Sequence, residues 1–347
     1  MPEHQGADSA GPTPTLGDLG EWHLLDRLRA FAPPGQFDDD AALIEERGGG
    51  VLVVNTDVLV EGVHFSDATM GPGDLGWRAA AANLSDLAAM GCREVVGLTV
   101  GLVAPPCTPW AWVEGVYGGL TAALAPCGAP LLGGDCSSGS ERLLAVTALG
   151  RLGPQGPIRR QDGRAGDVLV CSGLHGLSRL GLALLLEQPL HGLQSDRITI
   201  SDLPEELRQR AIAAHRRPRP RLDVVAALEQ SQPPGDPWRV GGTDSSDGLA
   251  AALTAIARTS SCDALLDRSA LPIDPAMAPL REATDWCLGG GEDFELVLAL
   301  PERWAQRLEA CLPGVRRLGR LVAGTGQLLW RGTKEPVRPA AGFSHFG

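Results

Sequence analysis

Acidic side chains recur at strand ends and at turns beside glycine: Asp38-Asp39-Asp40, Asp57, Asp86, Asp135, Asp244 with Asp247, and Glu292 with Asp293. Magnesium takes oxygen ligands from a few carboxylates together with phosphates and water. Carboxylates that are scattered in sequence but gathered by the fold suit that need. One acidic turn alone carries little meaning, because most are solvated caps. Asp86 is the sharper case. It lies in the alanine-rich stretch 79–90, three residues after Asn83 and so on the same helical face. A buried carboxylate is costly unless paired or metal-bound. An ion pair with Arg78, or a cap on another segment, accounts for it as well as a metal does.

Gly133-Gly134-Asp135 follows a short apolar strand, where glycines would let backbone N–H groups approach an anion; an ordinary tight turn fits the same residues. Ser172-Gly173-Leu174-His175-Gly176 lacks the G-x-G-x-x-G spacing and reads as structural packing. His64, within Glu61–Phe65, could donate to a substrate phosphate or be a plain strand-end histidine. Lys334 is the only lysine, which excludes a P-loop lysine, a protein-kinase strand lysine and Schiff-base chemistry at an internal site.

Strand and helix patterns must carry these groups. A helix is expected over Leu16–Phe31. An acidic turn then enters an apolar segment at Asp38–Ile44, and a buried strand over Val51–Asn55 ends at Thr56-Asp57. Asp74 is expected to cap a helix over Leu75–Met90 that Gly91 stops. Val95–Val103 reads as a strand, Thr108-Pro109 as the start of a helix to Ala125, and Pro130–Leu132 and Leu143–Leu149 as strands. Beyond Arg151 come a strand over Asp167–Cys171, helices over Leu177–Leu186, Leu222–Glu229 and Gly248–Arg258, a turn at Asp244–Asp247 and a strand over Phe294–Leu300, with a variable loop over 188–204. Mixed elements in both halves indicate an α/β (α+β) chain of two domains. Residues 1–18 read as a disordered tail, 19–150 as the first domain and 151–347 as the second.

The net charge of -12 does not favour nucleic acid or an anionic membrane face. No apolar run approaches the ~20 residues that span a bilayer, and the N-terminus lacks a signal-peptide core. The eight cysteines contain no C-x-x-C pair and read as single thiols in a reducing compartment. A soluble cytoplasmic protein is expected.

The segments Asp39–Ala42, Asn55–Phe65, Ala82–Gly91, Gly133–Asp135, Asp244–Leu249, Gly290–Leu296 and Gly342–Phe346 resemble, in order and spacing, the thiamine-monophosphate kinases within the superfamily of aminoimidazole ribonucleotide synthase. The resemblance runs from about Gly17 to Gly347. It implies ATP-dependent phosphorylation of thiamine monophosphate to thiamine diphosphate, and a homodimer whose N-terminal sheets pair into a central barrel. It implies magnesium ligands at Asp40, Asn55, Thr56, Asp57, Asp86, Asp135, Asp244 and Asp247. ATP contacts would come from Gly134, Asp135, Arg160 and Ser246, and thiamine monophosphate contacts from His64, Glu292 and Phe343. The acceptor phosphate is already ionised near neutral pH, so neither a nucleophile nor a general base is expected. Asp38, Arg78, Cys136 and Ser138 depart from the family pattern; Arg78 stands where a lysine is common. Selenophosphate synthetase-like chemistry would call for a reactive Cys and a Lys near the N-terminus, and there is no cysteine before Cys92. A scaffold without chemistry would have to carry the same carboxylates unused, and a phosphohydrolase would need no acceptor.

Overall fold

The computed structural model describes residues 15–193 and 198–338. Residues 1–14, most of the expected tail, lie outside the described residues, as do 194–197 in the expected loop and 339–347. Helix α1, Leu16–Leu28, starts within the segment read as tail. Thr15 caps it, its hydroxyl accepting from the Asp18 amide while the Asp18 carboxylate accepts from the Thr15 amide. Residues 15–37 belong to a unit of their own; everything below concerns the unit that begins at Asp38.

Its first half comprises β1 (Ala42–Glu45), β2 (Val51–Val60), α2 (Pro72–Ala89), β3 (Cys92–Ala104), α3 (Trp110–Leu124), β4 (Leu131–Ser138) and β5 (Leu143–Leu152). The strands form a five-stranded sheet ordered β1-β2-β5-β3-β4, antiparallel except for the β3–β4 pair. The second half comprises β6 (Val168–Cys171), α4 (Leu177–Leu185), α5 (Glu205–Arg216), α6 (Leu222–Ser231), β7 (Gly241–Asp244), α7 (Leu249–Thr259), β8 (Cys262–Leu266), α8 (Ala283–Gly289), β9 (Leu296–Leu300), α9 (Glu302–Cys311), β10 (Arg316–Ala323) and β11 (Leu328–Trp330). Its strands form a six-stranded sheet ordered β11-β8-β10-β6-β9-β7. Both sheets carry helices, giving the mixed α/β architecture expected. Among the described residues, no helix is long and apolar enough to cross a membrane.

Several elements depart from the sequence reading, β2, α2 and α3 among them. Strand β2 does not end at Thr56-Asp57 but runs to Val60, because β5 pairs with it continuously from Leu52 opposite Arg151 to Val60 opposite Leu143. Helix α2 begins at Pro72, whose fixed φ suits a first helical position, so Gly71 is the cap. Asp74 lies in the first turn instead, where it accepts from Arg217 at 2.6 Å. Helix α3 is capped by Pro109 with no side-chain bond, so Thr108 does not serve as the expected cap. The Gly91 stop after α2 is observed, in the left-handed region at φ 82°.

Helix α2 is the central positioning element. One side packs on β2, β3 and β5; another meets β7, α5 and α6 of the second half. Its alanines Ala79, Ala80, Ala81, Ala88 and Ala89 are buried and let backbones approach closely from several directions. Helix α3 crosses it so tightly that a Cβ at Gly119 would lie 2.0 Å from the Gly73 carbonyl oxygen. Leu75, Leu84 and Leu87 of α2 join Val53, Leu98, Val100, Leu120 and Leu144 in the first core cluster. Burying each such side chain contributes about 1.5–3 kcal/mol. A helix clamped this firmly from both sides can hold polar side chains at fixed places in the interior.

Candidate functional site

Alternation along β2 places Asn55, and Asp57 after it, on the face toward α2, while Thr56 points the other way. The Asn55 amide nitrogen donates to Asn83 Oδ1 at 3.1 Å and to Asp86 Oδ2 at 2.7 Å, both on α2. With its nitrogen so engaged, the Asn55 Oδ1 atom is left buried with no hydrogen-bond partner. Asp86 therefore finds Asn55, and Arg78 pairs elsewhere; the ion-pair explanation of Asp86 fails.

Strand β7 delivers the next carboxylate. Asp244 is its last residue and is buried. It accepts from the Ser85 hydroxyl on α2 and from the hydroxyl and amide of Ser246 at 2.8 and 3.2 Å. The third carboxylate comes from the acidic turn before β1. Asp40 Oδ1 accepts from Thr243 at 2.8 Å and from the Arg160 guanidinium, whereas its Oδ2 is buried without a partner. Asp39 alongside accepts from the Arg160 amide at 2.8 Å, so the turn is tied to the second half through both aspartates.

Asp40, Asp86 and Asp244 each place a carboxylate oxygen within 4.8 Å of the others. At ~4 Å, two like charges repel by about 4 kcal/mol at an effective dielectric of 20. Burial, reinforced by Asp57, Asp244 and Asp40, pushes Asp86 well above the usual carboxylate range. Burial and Asp40 lift Asp244 to about 7, and burial with Asp247 lifts Asp57 to about 6. Only Arg160 among the described arginines pairs with this group, so negative charge stays in excess. That is the electrostatic signature of a site completed by cations.

Other expected ligands stand apart. Thr56 is exposed on the opposite face of β2, its hydroxyl 2.8 Å from that of Thr147 on β5. Asp135 is exposed on β4, opposite Gly101 of β3, outside the carboxylate triad. Gly134 precedes it in an extended strand and not in the tight turn that the diglycine suggested. Arg160 and Ser246, expected to contact ATP, here bond to Asp40 and Asp244.

A second polar group lies around Glu292. His64 follows β2, and its Nδ1 accepts from the Val60 amide at 3.0 Å, which in the neutral ring leaves the proton on Nε2 as a donor. Glu292 pairs with Arg78, and its charge interacts with His215 and His64. His64 and Glu292, both expected to contact thiamine monophosphate and far apart in sequence, thus interact through their charges. Phe343 lies outside the described residues. Arg78 and His215 went unnoticed as neighbours of this group in the sequence; an arginine inside an alanine-rich helix was the available signal. The segment Ser172–Gly176 is structural as read: His175 is buried, its Nε2 3.0 Å from the Ser245 hydroxyl.

The family description "AIR synthase related protein, N-terminal domain" matches residues 38–152. The chain is 46% identical over 334 residues to the thiamine-monophosphate kinase of Prochlorococcus marinus, covering 95% of this chain and 97% of that protein. It is 46% identical over 323 residues to the thiamine-monophosphate kinase of Synechococcus elongatus, covering 93% and 91%. A solved structure described as AaThiL complexed with AMPPCP and TMP superposes with a TM-score of 0.81 at 27% identity, over 96% of this chain and 99% of that one. The chain belongs to the thiamine-monophosphate kinase family.

Proposed function

We propose that the chain transfers the γ-phosphoryl group of ATP to thiamine monophosphate, giving thiamine diphosphate and ADP. The observation that carries this reading is the convergence of Asp40, Asp86 and Asp244 in the interior with too little positive charge to balance them. Family membership supplies the substrates.

The residues fit magnesium. They offer hard oxygen donors only, and two of those oxygens, Asp40 Oδ2 and Asn55 Oδ1, are buried and unpartnered. We assign Asp40, Asn55, Asp57, Asp86, Asp244 and Asp247 to magnesium, with Asp135 on the nucleotide side. When bound, magnesium would offset the repulsion between the two phosphates and favour in-line attack. Gly134, Asp135, Arg160 and Ser246 are assigned to the nucleotide. Arg160 would have to share its guanidinium between Asp40 and a phosphate, which its five donors allow. His64 would donate through Nε2, and Glu292 would accept from the aminopyrimidine of the substrate, with Phe343 stacking on its rings. No residue need remove a proton from the acceptor, so transfer is direct.

Residues 19–150 would form the nucleotide- and metal-binding domain, and residues 151–347 the domain that completes the site. A homodimer is supported by the face of the first sheet that points away from α2, where Ile44 and Val58 keep 49% and 45% of their surface accessible. A cytoplasmic setting is supported by the eight cysteines, all free.

Incubation with ATP, magnesium and thiamine monophosphate, followed by chromatography, is expected to yield equal amounts of thiamine diphosphate and ADP. Phosphate release without acceptor phosphorylation would instead mark a hydrolase. Val58→Asp is expected to halve the mass measured by light scattering, because a charge would enter the apolar face; an unchanged mass would remove that face from the dimer.

A further inference from the structure

Arg78 lies in the second turn of α2, with only 3% of its side chain accessible. An arginine near a phosphoryl-transfer site invites the reading that it binds phosphate. Its bonds say otherwise. One terminal nitrogen donates to the His215 carbonyl at the end of α5, and the other is paired with Glu292. Both terminal nitrogens are thus turned toward partners inside the protein, and the one beside Glu292 is buried and makes no other hydrogen bond.

Glu292 is fixed at its backbone as well. It sits in the left-handed region at φ 59°, and its amide donates to the Ser246 carbonyl at 2.7 Å. The next residue, Asp293, accepts from the amides of Gly176 and Ser178 at 2.7 and 3.1 Å, which locks the loop onto the start of α4. Only the Glu292 side chain is left to be aimed. Its side chain keeps 36% of its surface accessible, with Arg78 at one carboxylate oxygen and the His215 ring nitrogen 3.9 Å from the other. Burial alone would raise its affinity for protons, but Arg78, then His215 and His64, outweigh it and hold the carboxyl below its ordinary value. Glu292 is thus a partly accessible, fixed anionic acceptor whose charge interacts with His64.

We infer that Arg78 is a positioning residue: it aims Glu292 at the thiamine end of the substrate and does not itself touch phosphate. A thiamine carries a permanent ring cation and an exocyclic amine, and both suit a carboxylate held in one direction. The inference rests on the proposed contact between Glu292 and the substrate. A freely swinging carboxylate would have to be ordered by each incoming substrate, at a cost in side-chain entropy that Arg78 has already met.

Steady-state kinetics with Glu292→Gln, Arg78→Met, Arg78→Lys and the Arg78→Met/Glu292→Gln double variant separate the possibilities. Glu292→Gln and Arg78→Met are each expected to raise KM for thiamine monophosphate by about 10-fold or more while KM for ATP stays within about twofold. The double variant is expected to be no worse than the weaker single one, because Arg78 acts through Glu292. Arg78→Lys should restore most of the affinity, since an ammonium can still face the carboxylate. Where Arg78→Met does not fold, Arg78→Gln, which keeps a donor for the His215 carbonyl, carries the same expectation. Multiplying effects in the double variant, or an equal rise in KM for ATP, would overturn the inference and make Arg78 a phosphate ligand. An unchanged KM for thiamine monophosphate in Glu292→Gln would overturn the underlying contact. A defect in Glu292→Gln with none in the Arg78 variants would overturn positioning alone.

Discussion

Asp244→Asn is expected to raise the melting temperature of the metal-free protein and to lower phosphoryl transfer by on the order of 100-fold or more. The two effects have one cause. Asp244 is buried beside Asp40 and Asp86, and burial with Asp40 lifts its carboxyl to about 7. A carboxyl whose folded pKa lies above its unfolded value favours the fold while protonated. That contribution is whole below the unfolded value of 3.8 and is lost as pH rises to about 7. Asparagine has nearly the same shape, can still accept from Ser246, and faces a Ser85 hydroxyl that can turn to accept from it. It removes the charge and with it the repulsion, so the metal-free variant should gain stability at pH 8 and little at pH 4. The wild-type protein should recover stability when magnesium is added, by mass action on the folded state, and the variant should recover much less. Thermal melts with and without chelator at both pH values test this. A variant that melts lower than wild type at pH 8 in chelator would show that Asp244 is a structural hydrogen-bond acceptor and not part of a cation site. The trade of stability for activity is what a site of unpaired buried charges implies.

The acidic turn at Asp38–Asp40 and the buried Asp86 were legible as chemistry in the sequence because polar residues interrupted apolar stretches. Their convergence was not legible, since nothing in the spacing of Asp40, Asp86 and Asp244 says that α2 lies between the two sheets. The partner of Asp86 illustrates the gap. Arg78, eight residues earlier in the same helix, was the obvious candidate in one dimension, yet it points toward α5 while Asp86 faces β2. Eight residues are about 12 Å of rise along the helix, so positions close in sequence reach different neighbours. Asp57 failed in another way. A polar Thr-Asp pair after an apolar run looks like a strand end, but β5 continues opposite it and keeps β2 extended to Val60. Burial and Asp247 make the carboxylate costly there, and it is the ladder to β5, which local propensity does not see, that keeps the strand extended through it. Helix stops fared better, because Gly91 acts through its own φ and needs no distant contact.

Gly134→Ala is expected to cost more than about 3 kcal/mol of stability and to abolish nucleotide binding, while Gly133→Ala is expected to cost about 1–3 kcal/mol and to keep nucleotide binding. The two glycines look alike in sequence, where an anion-binding turn would require both. They lie instead in strand β4 with φ of 149° and 155°, and differ in what surrounds them. A Cβ at Gly134 would fall 1.9 Å from the carbonyl oxygen of Val100 and within 3 Å of two more of its backbone atoms. A Cβ at Gly133 would meet nothing within 4 Å. Val100 cannot give way. Its side chain is fully buried, and β3 is held on its other edge by β5 from Cys92 to Val103. Strand β4 would therefore have to leave, taking Asp135 with it and breaking the parallel ladder that places Asp135 opposite Gly101. Backbone strain at Gly133→Ala alone costs about 1–3 kcal/mol, so both variants weaken the fold but only one also dislodges the strand. Urea denaturation and titration with a non-hydrolysable ATP analogue distinguish them. Equal losses in both variants would mean that conformation and not the contact with Val100 demands glycine. Nucleotide binding that survives in a folded Gly134→Ala protein would remove β4 from the nucleotide site.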